Sequence, residues 1–213
     1  MSKPVLFDYF RSSAGYRVRI ALALKGVDHE RVPLNLLEGE QKADSYRERN
    51  PQGFVPTLEI DGRRLTQSLA IIDYLDATRP EPPLMPADAG DRAHVLALAL
   101  AVACDIHPLN NLRVLKYLSG PLGQTQEARD GWYRHWVREG LAALEAMAVG
   151  RAGRFLCGDA PTLADICLVP QLYNARRFEV ALDAFPTLVC ADATANALEA
   201  FQAAHPDRVA PPA

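Results

Sequence analysis

The four cysteines, Cys104, Cys157, Cys167 and Cys190, are widely spaced and include no C-x-x-C pair. That excludes a dithiol redox motif and a cysteine zinc site, and no metal is expected. An excess of charge of one sign is missing too. Lys and Arg total 23 against 26 Asp and Glu, for a net charge of −3, and the signs are mixed along the chain. There is no electrostatic footprint for nucleic acid or for an anionic membrane. The longest apolar run, Val95 to Cys104, is about half of the ~20 residues that cross a bilayer. Asp8 interrupts the N-terminus before a signal-peptide core could form. Repeats and low-complexity segments are absent. What remains is a chain expected in the cytoplasm, with reduced thiols and a small molecule or another protein as partner.

With 213 residues, 49% of them hydrophobic, one or two domains are expected. Pro4 to Phe10 alternates as a strand, and Gly15 to Lys25 has helix formers throughout and ends at Gly26. Asp28 to Asn35 is a second strand, which Pro33 places at a sheet edge. A weak helical turn around Ala43 to Arg49 precedes Val55 to Ile60 and Arg63 to Thr66, two strands that flank Asp61-Gly62, the pair favoured in two-residue hairpin turns. Ser68 is the expected cap for the helix beginning Leu69-Ala70-Ile71-Ile72. The order β-α-β-β-α is that of a thioredoxin-like sheet.

Beyond the proline-rich stretch Glu81 to Gly90 every segment reads as helical: Asp91 to His107, broken at Pro108, Leu109 to Leu118, Gln126 to Val149, and Thr187 to Ala203. Thr162 and Asp165 have the spacing of a capping box, and Pro206 to Ala213 reads as a loosely held tail. The expected fold class is an α/β thioredoxin-like N-terminal domain plus an all-α C-terminal domain. Residues 1–81 form the first, 82–90 a linker and 91–213 the second.

Two stretches point to chemistry. Ser12-Ser13 stand at the start of a helix, where unpaired N–H groups can hold an anion, although such a pair also serves as an N-cap. Val55-Pro56 opens a strand with a residue that lacks a ladder donor, which either simply terminates a sheet edge or leaves Val55 with backbone groups that a peptide-like ligand can pair with. Arg17 and Arg19 lie ~200° apart at 100° per residue, so at least one pairs internally or at a subunit boundary.

Taken together, the chain resembles a cytosolic glutathione transferase over essentially its whole length. More narrowly, Ser12-Ser13-x-x-x-Arg17-Val18-Arg19-Ile20-Ala21-Leu22, Asn50-Pro51-x-x-x-Val55-Pro56-Thr57-Leu58, Gln67-Ser68-Leu69-Ala70-Ile71-Ile72 and Leu168-Val169-Pro170-Gln171 resemble the zeta class. That class includes maleylacetoacetate isomerase, with maleylpyruvate isomerase a close relative. The resemblance implies a homodimer that binds glutathione in its first domain and a small dicarboxylate in its second. It implies isomerisation of a maleyl keto acid to its fumaryl isomer in aromatic amino-acid catabolism such as tyrosine degradation, with glutathione as an unconsumed cofactor.

The same resemblance implies the site residues. Ser12 holds the glutathione sulfur as thiolate, with Ser13 assisting or capping the helix. Arg11 and Arg177, the latter beside Arg176, meet the substrate carboxylates and the charge that develops during reaction. Val55, next to Pro56, pairs with the cysteinyl group. Gln67 and Ser68 bind the γ-glutamyl carboxylate, Gln41 the glycyl end, and His107, Asn111 and Arg113 fall where relatives touch ligand. The sequence departs from the zeta pattern at Ala14, normally cysteine, and at Tyr16, normally tryptophan or histidine. Two alternatives stay open: a general transferase that conjugates or dehalogenates small electrophiles, and a glutathione-binding module without turnover.

Overall fold

The computed structural model describes residues 3–211. Packing divides them into two compact units, one made of the chain up to Pro83 together with the residues from Ala197 on, the other of Leu84–Asn196.

The first unit is built on a four-stranded sheet of β1 (Val5–Asp8), β2 (Glu30–Pro33), β3 (Thr57–Ile60) and β4 (Arg63–Thr66), in the order β2-β1-β3-β4. β1 and β2 run parallel, as a crossover through α1 (Ser13–Leu24) requires, and the other two pairings are antiparallel. Pro33 lies on an edge strand, where its missing N–H costs no ladder bond. Asp61 and Gly62, at φ 52 and 71, form the left-handed turn between β3 and β4.

The expected turn around Ala43 to Arg49 is the short helix α2 (Asp44–Arg47), and α1 is buried on nearly every side, with α3 (Ser68–Thr78) and α9 (Glu199–Ala204) packed on it. Leu6, Val18, Ile20, Leu22, Leu58, Ile71, Leu75 and Phe201 form its core with no exposed surface. Each such side chain contributes about 1.5–3 kcal/mol by burial. Arg19 is tolerated there because Asp8, itself fully buried, contacts it directly, while its other nitrogens donate to Ala204 O and Phe10 O at 3.0 Å. Arg31 adds a second ion pair to Asp8 at 2.9 Å. The expected internal pairing of an α1 arginine is therefore found at Arg19.

In the second unit, α7 (Leu163–Arg177) is the central helix and is buried along most of its length. The capping box is present: Asp165 accepts the Thr162 N–H at 2.8 Å and the Leu156 N–H at 2.9 Å. α4 (Ala89–Leu100) and α8 (Pro186–Asn196) pack on α7, while α6 (Gln126–Ala148) packs on α8 and α5 (Leu112–Ser119) on α6.

Three expectations are corrected. The helix expected to end at His107 leaves α-geometry at Ala101, continues as a π-turn to Ile106 and then as a 3₁₀ turn over His107–Asn110. Pro108 supplies no N–H for an α-bond, and the His107 N–H instead reaches Val102 O. By length and mean hydropathy alone, Ala89–Ser119 is apolar enough to cross a bilayer. Here it is interrupted by those turns, and Val95, Leu98, Ala99, Val102 and Ile106 are buried in this unit's core.

The single helix expected over Thr187 to Ala203 is two, α8 and α9. Asn196 ends the first by turning its amide back onto Asp192 O at 2.8 Å. The tail is also more ordered than expected, since Pro206–Val209 forms a short helix, α10, with Pro206 buried; residues 212 and 213 lie outside the described residues.

Candidate active site

The turn after β1 is closed by Ser12 N–H donating to Tyr9 O at 2.8 Å, and the chain then enters α1. Ser12 is the N-cap: its Oγ accepts the Gly15 N–H at 3.1 Å. Ser13, expected to assist Ser12 or to cap the helix, is not the cap but the first helical residue, and is buried. Capping uses a lone pair of the Ser12 oxygen and leaves the hydroxyl proton available to an anion, so the two readings of this serine are compatible. Gly15 is needed for close approach, since a Cβ there would lie 3.1 Å from Asp8 Oδ2. Arg11 is exposed, with its guanidinium 4.9 Å from the Phe10 ring centroid and no carboxylate partner among the described residues.

A second set of residues comes from three loops of the same unit. The Phe54 carbonyl is held by the Tyr46 hydroxyl at 2.7 Å and the Asn50 amide at 2.8 Å. Burial raises the Tyr46 pKa, which keeps that hydroxyl a donor. Val55 follows, joined to Pro56 by a cis bond, and because β3 starts only at Thr57, Val55 lies outside the ladder. Gly53 at φ 61 packs against the Gln41 carbonyl, 2.8 Å from where a Cβ would sit. Gln41 is thereby brought beside the loop that carries Val55.

Gln67 donates its amide to Gln52 Oε1 at 2.7 Å and precedes α3 with φ 67 and ψ 114. That backbone state costs a non-glycine residue about 1–3 kcal/mol and is found where a site demands it. Ser68, expected as the cap, is the first residue of α3, and among the described residues no side chain caps this helix. Its N-terminal N–H groups stay open to an anion.

The predicted residues of the helical unit are placed as follows. Asn111 caps α5, its Oδ1 accepting the Arg113 N–H at 3.1 Å, and His107 opens the 3₁₀ turn before it. Arg176 is bound to Asp192 on α8 at 2.6 Å and is structural. Arg177 is exposed in the last turn of α7, donates to Asn174 Oδ1 at 3.1 Å and lies over Tyr173 and Phe178. Phe178 stacks on Tyr133, whose hydroxyl burial holds far above its ordinary range. Among the described residues no group of three or more His, Cys, Asp or Glu is placed to hold a metal ion.

Ser12, Ser13, Gln41, Val55, Gln67 and Ser68 are thus all carried by the sheet unit. Among the described residues the Gln41 Oε1 acceptor and the Arg17 Nε and Nη2 donors, all buried in this unit, have no hydrogen-bond partner. A small peptide with amide N–H groups and carboxylates offers partners of both kinds, so the residues fit a tripeptide such as glutathione. Sequence alone gives Arg17 a structural role and Gln52 none; the divergence of Arg17 from Arg19 is the available signal.

Comparison with known proteins agrees with this reading. Residues 6–83 match the model of the glutathione S-transferase N-terminal domain and residues 126–208 that of its C-terminal domain. The chain is 52% identical to the maleylacetoacetate isomerase of Rhizobium meliloti over 99% of each chain. Its fold matches a maleylpyruvate isomerase described as a bacterial zeta-class glutathione S-transferase, with TM-score 0.95 and 42% identity over 98% of this chain and 100% of that one. It also matches the maleylacetoacetate isomerase of Anaeromyxobacter dehalogenans with glutathione bound in its active site, with TM-score 0.88 and 46% identity over 98% and 97% of the chains. An anion-ready α1, a free Val55 edge and an uncapped α3 on a thioredoxin-like sheet, matched over nearly the full length, make this chain a member of the zeta class of the glutathione S-transferase family.

Proposed function

We propose that the protein is a glutathione-dependent cis–trans isomerase of maleyl keto acids, maleylacetoacetate before maleylpyruvate, acting as a cytoplasmic homodimer in aromatic amino-acid breakdown. The observation that carries this is Ser12, an N-cap whose hydroxyl proton is left to donate, beside Arg11, a cation with no carboxylate partner among the described residues.

When bound, glutathione supplies a sulfur nucleophile that adds reversibly to the activated double bond. Ser12 donates a hydrogen bond to that sulfur, and with the N-terminus of α1 it favours the anion. Each unit by which the thiol pKa falls below its free value of ~8.5 requires about 1.4 kcal/mol of such preference. Ser13 supports the first turn. Val55, next to Pro56, pairs its backbone with the cysteinyl group, Gln67 and Ser68 take the γ-glutamyl carboxylate, and Gln41 takes the glycyl end. His107, Asn111 and Arg113 supply further contacts, while Arg11 and Arg177 attract the two substrate carboxylates and the charge that develops during reaction. On α4, Leu96 and Leu100 are 40% and 38% exposed at a spacing of one helical turn, which supplies an apolar face for a second copy.

The test supplies a maleyl keto acid in large excess over glutathione and follows both. Many turnovers with glutathione fully recovered are expected. Loss of glutathione in step with product would mean conjugation instead, and no turnover at all would leave only a binding module.

A further inference from the structure

Arg17 is 2% exposed, and among the described residues its Nε and Nη2 have no hydrogen-bond partner. Its one polar contact among them is Nη1 donating to Ser68 Oγ at 3.4 Å, at the first residue of α3. Arg19, two residues on, is equally buried but is matched by Asp8 and two carbonyls. Among the described residues no carboxylate pairs with Arg17. A buried guanidinium without an anion is costly, and a fold that only needed to fill this space would hold a methionine or leucine there.

The contact has a direction. A guanidinium can only donate, so the Ser68 oxygen must accept, and the serine's own proton points elsewhere. That proton joins the open N–H groups of the uncapped α3, beside Gln67 in its left-handed conformation. Charge, hydroxyl and helix N-terminus therefore act on one spot.

We infer that Arg17 is a positioning residue for the γ-glutamyl α-carboxylate of glutathione, orienting the Ser68 hydroxyl toward it and supplying the buried positive charge that distinguishes a carboxylate from an amide. This rests on the glutathione reading above.

The test is calorimetric binding, without turnover, of two ligands: glutathione, and glutathione carrying a primary amide in place of the γ-glutamyl α-carboxylate. Arg17→Met is expected to bind glutathione about tenfold weaker or more than the parent, yet to bind the amide within twofold of the parent. Melting of the ligand-free variant is expected at or above that of the parent, because the unmatched charge is gone. Arg17→Lys keeps the charge without the fork and is expected to fall between the two, and it is the variant to read should the methionine variant not fold. Glutathione affinity unchanged in the lysine variant, and within twofold in the methionine variant where that folds, overturns the assignment. So does an equal loss for both ligands with lowered melting, which marks Arg17 as structural. A parent protein that does not bind glutathione overturns the functional reading itself, a result separate from either of these.

Discussion

The Ser12 hydroxyl oxygen accepts the Gly15 N–H at 3.1 Å, so the group proposed to hold the reactive sulfur also starts α1. Lone pair and proton do separate work, and substitution separates them. Ser12→Ala loses both: stability falls by about 1 kcal/mol for the cap, and the thiol of bound glutathione moves back toward its free value. Ser12→Asp still caps but has no proton to give and adds a negative charge. It is expected to melt near the parent temperature while raising the thiol pKa beyond that of the alanine variant. Ultraviolet titration of the bound thiolate reads this; an alanine variant titrating like the parent removes Ser12 from the chemistry.

The elements of the sheet unit were largely legible because each carries its own punctuation. Gly26 ends α1, Asp61-Gly62 sets the hairpin, and Arg63–Thr66 is a strand as expected. The Thr162–Asp165 box was legible for the same reason, being complete within one turn. What the sequence left open depends on distant neighbours. Spacing shows that Arg17 and Arg19 diverge, but only the sheet decides that Arg19 meets Asp8 while Arg17 meets α3. The break between α8 and α9 has no glycine or proline to announce it. Nor does any local rule foretell a left-handed glutamine at position 67.

Residue type and spacing do not separate Arg176 from Arg177, of which only the resemblance singles out Arg177, and the two differ in the fold. Arg176→Ala leaves Asp192 buried without its cation and is expected to cost about 1–3 kcal/mol in denaturant unfolding. Arg177→Ala removes an exposed side chain, so stability is expected to stay within about 0.5 kcal/mol. A lost charge-assisted bond of about 1.5 kcal/mol would raise the KM for the dicarboxylate about tenfold. An Arg177 variant with parental KM takes that residue out of the substrate site.

Asp192 gives a pH dependence of unusual sign. Burial raises its pKa above the ordinary 3.8, against the opposing pull of Arg176 and the Asn196 amide. The folded state therefore binds the proton more tightly than the unfolded chain. Its contribution to stability is complete below 3.8 and is lost as pH rises through the raised value. Asp192→Asn cannot titrate, so the parent's stability relative to the variant is expected to fall on going from acid to neutral pH. Unfolding curves across that range decide it, and a parent that gains on the variant as pH rises contradicts the burial argument.

The cysteines report on burial and on the proposed dimer together. Burial pushes the Cys157 thiol up to about 11, and Cys167 is fully buried, whereas Cys104 and Cys190 are exposed. At a pKa of about 11, Cys157 is roughly a thousandth thiolate near pH 8. A thiol reagent is expected to label Cys190 rapidly, the half-buried Cys157 slowly, and Cys167 only on unfolding. Cys104 follows Leu96 and Leu100 at four-residue spacing on the exposed side of the run. A second copy seated on that face would shield it, giving one fast thiol per chain in the dimer and two once dilution separates the copies. Rapid labelling of Cys104 in a sample sized as a dimer moves the interface away from α4. Cys157 reacting as fast as Cys190 contradicts its burial.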